Sequence, residues 1–245
     1  MAELKLPDGI KACLFDMDGV LTRTASVHAK AWKEAFDAFL KRRDGDGFTP
    51  FDIEQDYTAH VDGKPREDGV RDFLASRDID LPEGSASDEA DADTVTGIGN
   101  AKNEKLLEVL ERDGVDVFEP SIDFVRAARE NGLRTAVVSS SKNTVAALEA
   151  AGILDLFEAR VDGNTLNEES IRGKPAPDAF LLAAERLGVA ASATAVFEDA
   201  ISGVEAGRAG NFGYVVGVDQ AGQADALREH GADIVVTEDL GELMA

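Results

Sequence analysis

A single cysteine, Cys13, is present among 245 residues, so no disulfide can form within the chain. It sits inside an apolar run, where a small core residue is expected, and its isolation fits a reducing compartment. Basic residues are scarce: 25 Lys and Arg stand against 48 Asp and Glu, a formal net charge of −23. That balance excludes nucleic acid as an expected partner, because binding it depends on basic patches that neutralise phosphates. No stretch approaches the ~20 apolar residues that span a bilayer. The opening MAELKLPDGIK has no apolar segment of the signal-peptide kind. A cytoplasmic protein without a membrane partner is the expectation. The acidity itself fits either a high-salt cytoplasm or an ordinary soluble acidic protein, and the sequence does not separate them. Two phosphate-binding signatures are also missing. No G-x-G-x-x-G follows the first strand and no G-x-x-x-x-G-K-[ST] occurs, which disfavours a nucleotide-binding dehydrogenase. Aromatics make up only 6% while hydrophobic residues reach 44%. The core is therefore to be built largely of Ala, Val and Leu, as suits helices packed on a parallel sheet.

What is present is an alternation. Ile10 to Phe15 is an apolar strand ending on Asp16-Met17-Asp18-Gly19. A helix over Ser26 to Lys41 follows, then a polar break to Pro50 and further helical pattern to about residue 110. Ser85 to Asp93 within it is a small-residue acidic run, read as a solvated loop. From Ser121 the pattern becomes helix and strand in turn. Helices are expected at 121–130, 144–151, 177–187, 202–209 and 221–230, and strands at 133–139, 157–161, 194–197, 214–218 and 234–236. Such alternation argues for an α/β fold with a doubly wound, Rossmann-like parallel sheet. The helical block interrupts it after the first strand. The expected organisation is a core of residues 1–23 and 111–245 with an inserted α-helical cap of residues 24–110.

Doubly wound sheets bind ligands beyond the carboxyl ends of their strands. The residues expected there are Asp16 and Asp18, then Ser139, Ser140, Ser141, Lys142 and Asn143, then Glu198 and Asp199. Lys174 follows the weak strand and its loop. Carboxylates of this kind suit magnesium, with phosphate and water completing its shell. A lysine with hydroxyl or backbone donors can hold the oxygens of a transferring phosphoryl group. A carboxylate can attack phosphorus, and a second one two residues on can move a proton. Positions i and i+2 of an extended segment share a face, so Asp16 and Asp18 can serve one crevice. Three other Asp-x-Asp strings begin at Asp44, Asp78 and Asp91, but only Asp16-x-Asp18 closes an apolar strand. Gly203, Gly207 and Gly210 read as helix-packing glycines and a terminator.

FDMDGVLT, VVSSS, GKPAPDAF and VFEDAISGVEAG, in that order, resemble the four motifs of the haloacid dehalogenase superfamily. The resemblance covers nearly the whole chain and looks closest to the β-phosphoglucomutase-like subgroup. It implies Asp16 as nucleophile and Asp18 as general acid/base. Ser139 and Lys174, with Ser140 beside them, would bind the transferring phosphoryl group. Magnesium would be held by Asp16, the backbone carbonyl of Asp18, Asp199 and Glu198. In the cap, TASVHAKAW places His28 where the subgroup carries a histidine that assists the acid/base. DGKPRED places Arg66 where it carries an arginine for the non-transferring phosphate. Lys102, in NAKNEK, matches a cap lysine that reaches the active site, and Ser141-Lys142-Asn143 resembles a support of the distal phosphate. One departure is Arg23, where the family usually has an acidic residue at the hinge between core and cap.

The resemblance implies phosphoryl transfer on a small phosphorylated sugar, with mutase activity from β-glucose 1-phosphate to glucose 6-phosphate favoured. Hydrolysis of a sugar phosphate is the near alternative, and a non-catalytic phosphosugar-binding protein a remote one. A nucleophile at Asp16 argues against the last. The reading requires no partner subunit, so it is compatible with a monomer, and the sequence leaves the oligomeric state open.

Overall fold

The computed structural model describes residues 2–245. It forms two compact units, one of residues Met1–Arg23 and Val115–Ala245, the other of Thr24–Gly114. The first is built on six parallel strands: β1 (Ala12–Phe15), β2 (Arg134–Val138), β3 (Ala159–Val161), β4 (Thr194–Glu198), β5 (Tyr214–Val218) and β6 (Ile234–Val236). Their order is β3-β2-β1-β4-β5-β6, with each neighbouring pair parallel. The strands are near-continuous apolar runs because both faces are covered, and their period of two sorts them into two cores. Cys13, Phe15, Val137, Ala195, Phe197 and Val216 face α4 (Glu119–Glu130) and α5 (Thr144–Ala150). Ala12, Leu14, Ala136, Val138, Val196 and Val215 face α7 (Asp178–Leu187), α8 (Ile201–Ala209) and α9 (Ala224–Glu229). Phe15 stacks on Phe197 with ring centroids 4.7 Å apart, locking the two central strands side by side.

The second unit contains α1 (Ala25–Asp44), α2 (Arg66–Ser76) and α3 (Val95–Asp113), with a π-helical turn at Tyr57–Val61. Its core gathers much of the chain's few aromatics: Trp32, Phe36, Phe39, Phe51 and Phe73 are buried together. The Thr94 hydroxyl caps α3 by accepting the Gly97 N–H at 2.9 Å and itself donates to Asp88 at 2.6 Å. The acidic run thus ends in a helix cap. Because α3 continues to Asp113, residues 111–114 belong with this unit and not with the sheet. In the sheet unit, the chain stretches flanking the helical one pair briefly: Thr22 bridges Val117 and the Arg23 N–H donates to Asp116. Arg23 lays its guanidinium over the Phe118 ring, 4.0 Å from the centroid.

Two local expectations need correction. A short helix, α6 (Gly163–Glu168), starts directly after β3, capped by Asp162, whose carboxylate accepts the N–H groups of Asn164 and Thr165. Six residues are too few for a helical apolar period to show. The helix expected from Ala221 begins only at Ala224, because the Asp219 carboxylate takes the N–H groups of Ala221, Gln223 and Ala224 and folds that stretch into a turn.

Candidate active site

The chain leaves β1 for β2 on one side of the sheet and later returns to β4 on the other, so β1 and β4 flank the topological switch point. Their register pairs Phe15 with Phe197, which sets the next residues, Asp16 and Glu198, side by side, and the Asp16 N–H donates to the Phe197 carbonyl at 2.9 Å. One residue on is Asp199. The result is a buried cluster in which Asp16, Glu198 and Asp199 each bring a carboxylate oxygen within 4.8 Å of the others. Lys174, 3% exposed, reaches into it and pairs with both Asp16 and Glu198. Its ammonium also donates to the Val138 carbonyl at 3.3 Å.

Charge decides what this cluster can hold. Three carboxylates against one ammonium leave two negative charges when all are ionised. Burial weakens the hold of Lys174 on its proton, but the Asp16 and Glu198 carboxylates outweigh it and keep that proton above the ordinary lysine range. Glu198 is raised as well. Burial and the neighbouring Asp16 charge push its carboxyl up to about 7, although Lys174 opposes them. A hard divalent cation among such oxygens would relieve both burdens, so the residues present fit magnesium.

The loop after β1 is shaped around Asp199. Phe15 and Met17 enter the same buried cluster, so strand alternation persists one residue past Asp16 and leaves Asp16 and Asp18 away from it. The chain then turns: Leu21 and Thr22 donate to the Met17 carbonyl, and Gly19 donates to the Thr22 carbonyl at 2.8 Å. Gly19 has φ +85°, and a Cβ there would stand 1.8 Å from Asp199 Oδ2. Only glycine allows that approach. At the start of α8, a Cβ on Gly203 would lie 2.0 Å from the Glu198 carboxylate carbon. Gly203 is thus more than the helix-packing glycine expected from sequence, whereas Gly207 does pack α8 on Val215 and Val196 of the sheet.

Beyond β2, the Ser139 hydroxyl accepts the Ser141 N–H at 3.1 Å and the Ser141 hydroxyl accepts the Asn143 N–H at 3.1 Å. Ser139 is buried, whereas Ser140, Ser141, Lys142 and Asn143 are half-buried. The β3–α6 turn braces this loop: the Gly163 N–H donates to the Ser141 carbonyl, and Asn164 donates to the Lys142 carbonyl at 2.9 Å. Asp16, Asp18, Ser139–Asn143 and Asp199 follow strand ends of the sheet unit, Glu198 closes β4, and Lys174 comes from the α6–α7 connection of the same unit.

His28, Arg66 and Lys102 lie in the helical unit and form a cluster of their own. Lys102 is buried, with its ammonium 3.1 Å from His28 Nδ1 and 5.3 Å from the Trp32 ring centroid. An ammonium only donates, so Nδ1 accepts and the neutral ring carries its proton on Nε2. Burial, then the charges of Lys102 and Arg66, push His28 well below the ordinary histidine range. Arg66 donates to the Asn103 side chain at 2.7 Å.

Residues 10–211 match the family model described as haloacid dehalogenase-like hydrolase. A protein of Mycobacterium bovis named beta-phosphoglucomutase is 56% identical over 98% of this chain and 94% of its own length. A Thermotoga maritima protein named phosphorylated carbohydrates phosphatase is 28% identical over 93% of this chain and 94% of its own. Among solved structures, beta-phosphoglucomutase from Clostridium difficile superposes with a TM-score of 0.73 at 23% identity, covering 96% of this chain and 93% of that one. That last likeness concerns the fold.

Proposed function

The chain belongs to the haloacid dehalogenase-like hydrolases and is an enzyme of their phosphoryl-transfer type; from that premise we propose that it is a β-phosphoglucomutase acting through an aspartyl phosphate at Asp16. The single observation that carries the mutase reading is the 56% identity, over 98% of the chain, to a protein of that name. The buried Asp16–Lys174 pair supports the chemistry. Lys174 holds the Asp16 carboxylate in place and, with Ser139 and Ser140, would meet the oxygens of the incoming phosphoryl group.

In the first half-reaction an Asp16 oxygen bonds to phosphorus as the bond from phosphorus to the sugar oxygen breaks. Asp18 gives that leaving oxygen its proton. In the second, the 6-hydroxyl of β-glucose 1-phosphate attacks the Asp16 phosphate, Asp18 takes its proton, and the Asp16 carboxylate is regenerated. The bisphosphate so formed returns its 1-phosphoryl group to Asp16 and leaves as glucose 6-phosphate. Asp16, Glu198 and Asp199, with the Asp18 backbone carbonyl, would hold magnesium, which when bound offsets charge on the phosphate oxygens. His28 is proposed to assist Asp18, with Lys102 fixing its tautomer. Arg66, Ser141, Lys142 and Asn143 are proposed to recognise the phosphate that is not transferred.

A second reading, sugar-phosphate hydrolysis with water in place of the 6-hydroxyl, draws support from the phosphatase relative. One assay separates them: β-glucose 1-phosphate with magnesium and a trace of glucose 1,6-bisphosphate, following glucose 6-phosphate and free phosphate together. Glucose 6-phosphate in large excess is expected. Phosphate as the main product would replace the mutase reading with the hydrolase one, and neither product would reject glucose phosphate as substrate.

A further inference from the structure

We propose that Gln223 is a positioning residue for Asp199, an inference resting on the reading of Asp199 as a metal ligand. Asp199 lies in the two-residue link between the end of β4 at Glu198 and the start of α8 at Ile201, outside the sheet ladder. Its backbone carbonyl is held instead from another strand end: Gln223 Nε2 donates to it at 2.9 Å. The amide orientation follows from the contact, because the flipped form would set Gln223 Oε1 against the Asp199 carbonyl, acceptor against acceptor. Gln223 Oε1 itself is buried with no hydrogen-bond partner among the described residues. The side chain thus contributes to this loop through its donor.

Gln223 is in turn held by the turn that shortens α9. Asp219 Oδ1 accepts the Gln223 N–H at 2.7 Å, Oδ2 accepts the Ala224 N–H at 3.2 Å, and the Asp219 N–H donates to the Val236 carbonyl at 2.8 Å. A chain of hydrogen bonds therefore runs from β6 through Asp219 and Gln223 to the backbone of Asp199. Gly19 lies against the Asp199 carboxylate. The contact holds the main chain from which the Asp199 carboxylate extends, and losing an outer partner of a metal ligand commonly weakens metal affinity by roughly 10–100-fold.

The test is a titration of metal-free enzyme with Mn2+, following free Mn2+ by electron paramagnetic resonance. Gln223→Met keeps the side-chain volume and removes the donor, and Gln223→Asn keeps the amide but shortens its reach. Gln220→Met is the control, since Gln220 belongs to the same loop but donates to the Glu238 carbonyl at 3.0 Å. Both Gln223 variants are expected to bind Mn2+ about tenfold or more weakly than wild type, with Gln220→Met unchanged and all four proteins melting together in EDTA. Unchanged Mn2+ affinity in the Gln223 variants would overturn the proposal, as would an equal loss in Gln220→Met or a lowered melting point in EDTA that accounts for the loss. Wild type failing to bind Mn2+ would instead reject the metal reading beneath it.

Discussion

A methyl group on Gly19 would stand 1.8 Å from Asp199 Oδ2, on a residue whose φ of +85° already excludes most side chains. Strain of about 1–3 kcal/mol from the backbone alone and displacement of the carboxylate both follow, so Gly19→Ala is expected to melt lower and to bind Mn2+ more weakly. Wild-type melting and affinity in that variant would contradict the contact. Asp16→Asn keeps the shape but removes the nucleophile. Turnover should fall by ~10⁴-fold or more with the circular dichroism spectrum unchanged, and normal turnover would rule out an aspartyl phosphate. His28 gives a pH prediction with a definite sign. Its folded pKa lies below the unfolded value near 6.5, so the unfolded chain binds more protons under acid. The stability it contributes is present above about pH 6.5 and is lost as pH falls below that. Urea midpoints of the metal-free protein at pH 7.5 and 5.5 should therefore differ less in His28→Gln than in wild type; equal differences would reject the assignment. The carboxylates were legible in sequence because polar residues closing an apolar strand declare themselves. Gly19 and Gln223 were not, because each acts on a residue brought alongside from another strand.

At the scale of elements, α8 sets propensity against packing. Gly203 is the third residue of that helix, and replacing a helical Gly by Ala ordinarily gains up to about 1 kcal/mol. The Glu198 carboxylate carbon lies 2.0 Å from the Cβ such a change adds, and it belongs to a fully buried side chain that cannot step aside. Overpacking of this kind costs about 1–3 kcal/mol, so Gly203→Ala is expected to lower the urea midpoint of metal-free enzyme. A raised midpoint would show that propensity wins. The same contrast explains which elements were readable. All six strands were anticipated because a sheet covered on both faces demands unbroken apolar runs. Tyr214 to Val218 and Ile234 to Val236 match the expected limits. The start of α9 was misplaced because Asp219, five residues before the helix, takes the N–H groups of Ala221, Gln223 and Ala224 and folds the stretch before it into a turn. α6 was missed because a helix of six residues depends on its Asp162 cap more than on any apolar face. Arg23 stood out as a departure from the family pattern, and its partner, the Phe118 ring, enters from a segment almost a hundred residues away.

For the molecule as a whole the governing quantity is the net charge of −23 on 245 residues. Each unit has its own apolar core, so charge contributes little to the choice of fold and much to the balance between folded and expanded chain. Many of the described ion pairs are between exposed side chains, such as Arg71 with Glu83, Arg126 with Asp123 and Arg228 with Asp225. Pairs of that kind are worth only ~0–1 kcal/mol each, and acids outnumber bases by 48 to 25. Unpaired like charges thus dominate the long-range field. Raising the salt shortens the screening length from roughly 30 Å at 0.01 M to about 10 Å at 0.1 M, which removes more repulsion than attraction. The buried Asp16–Lys174–Glu198 cluster is shielded from this change, so its attraction persists. The metal-free enzyme is accordingly expected to melt at a higher temperature as NaCl rises from about 0.01 M to 0.5 M, with most of the gain below about 0.2 M, where screening length changes fastest. A melting temperature that falls steadily over that range would mean that the ion pairs, and not the excess of acids, set the electrostatic contribution to stability.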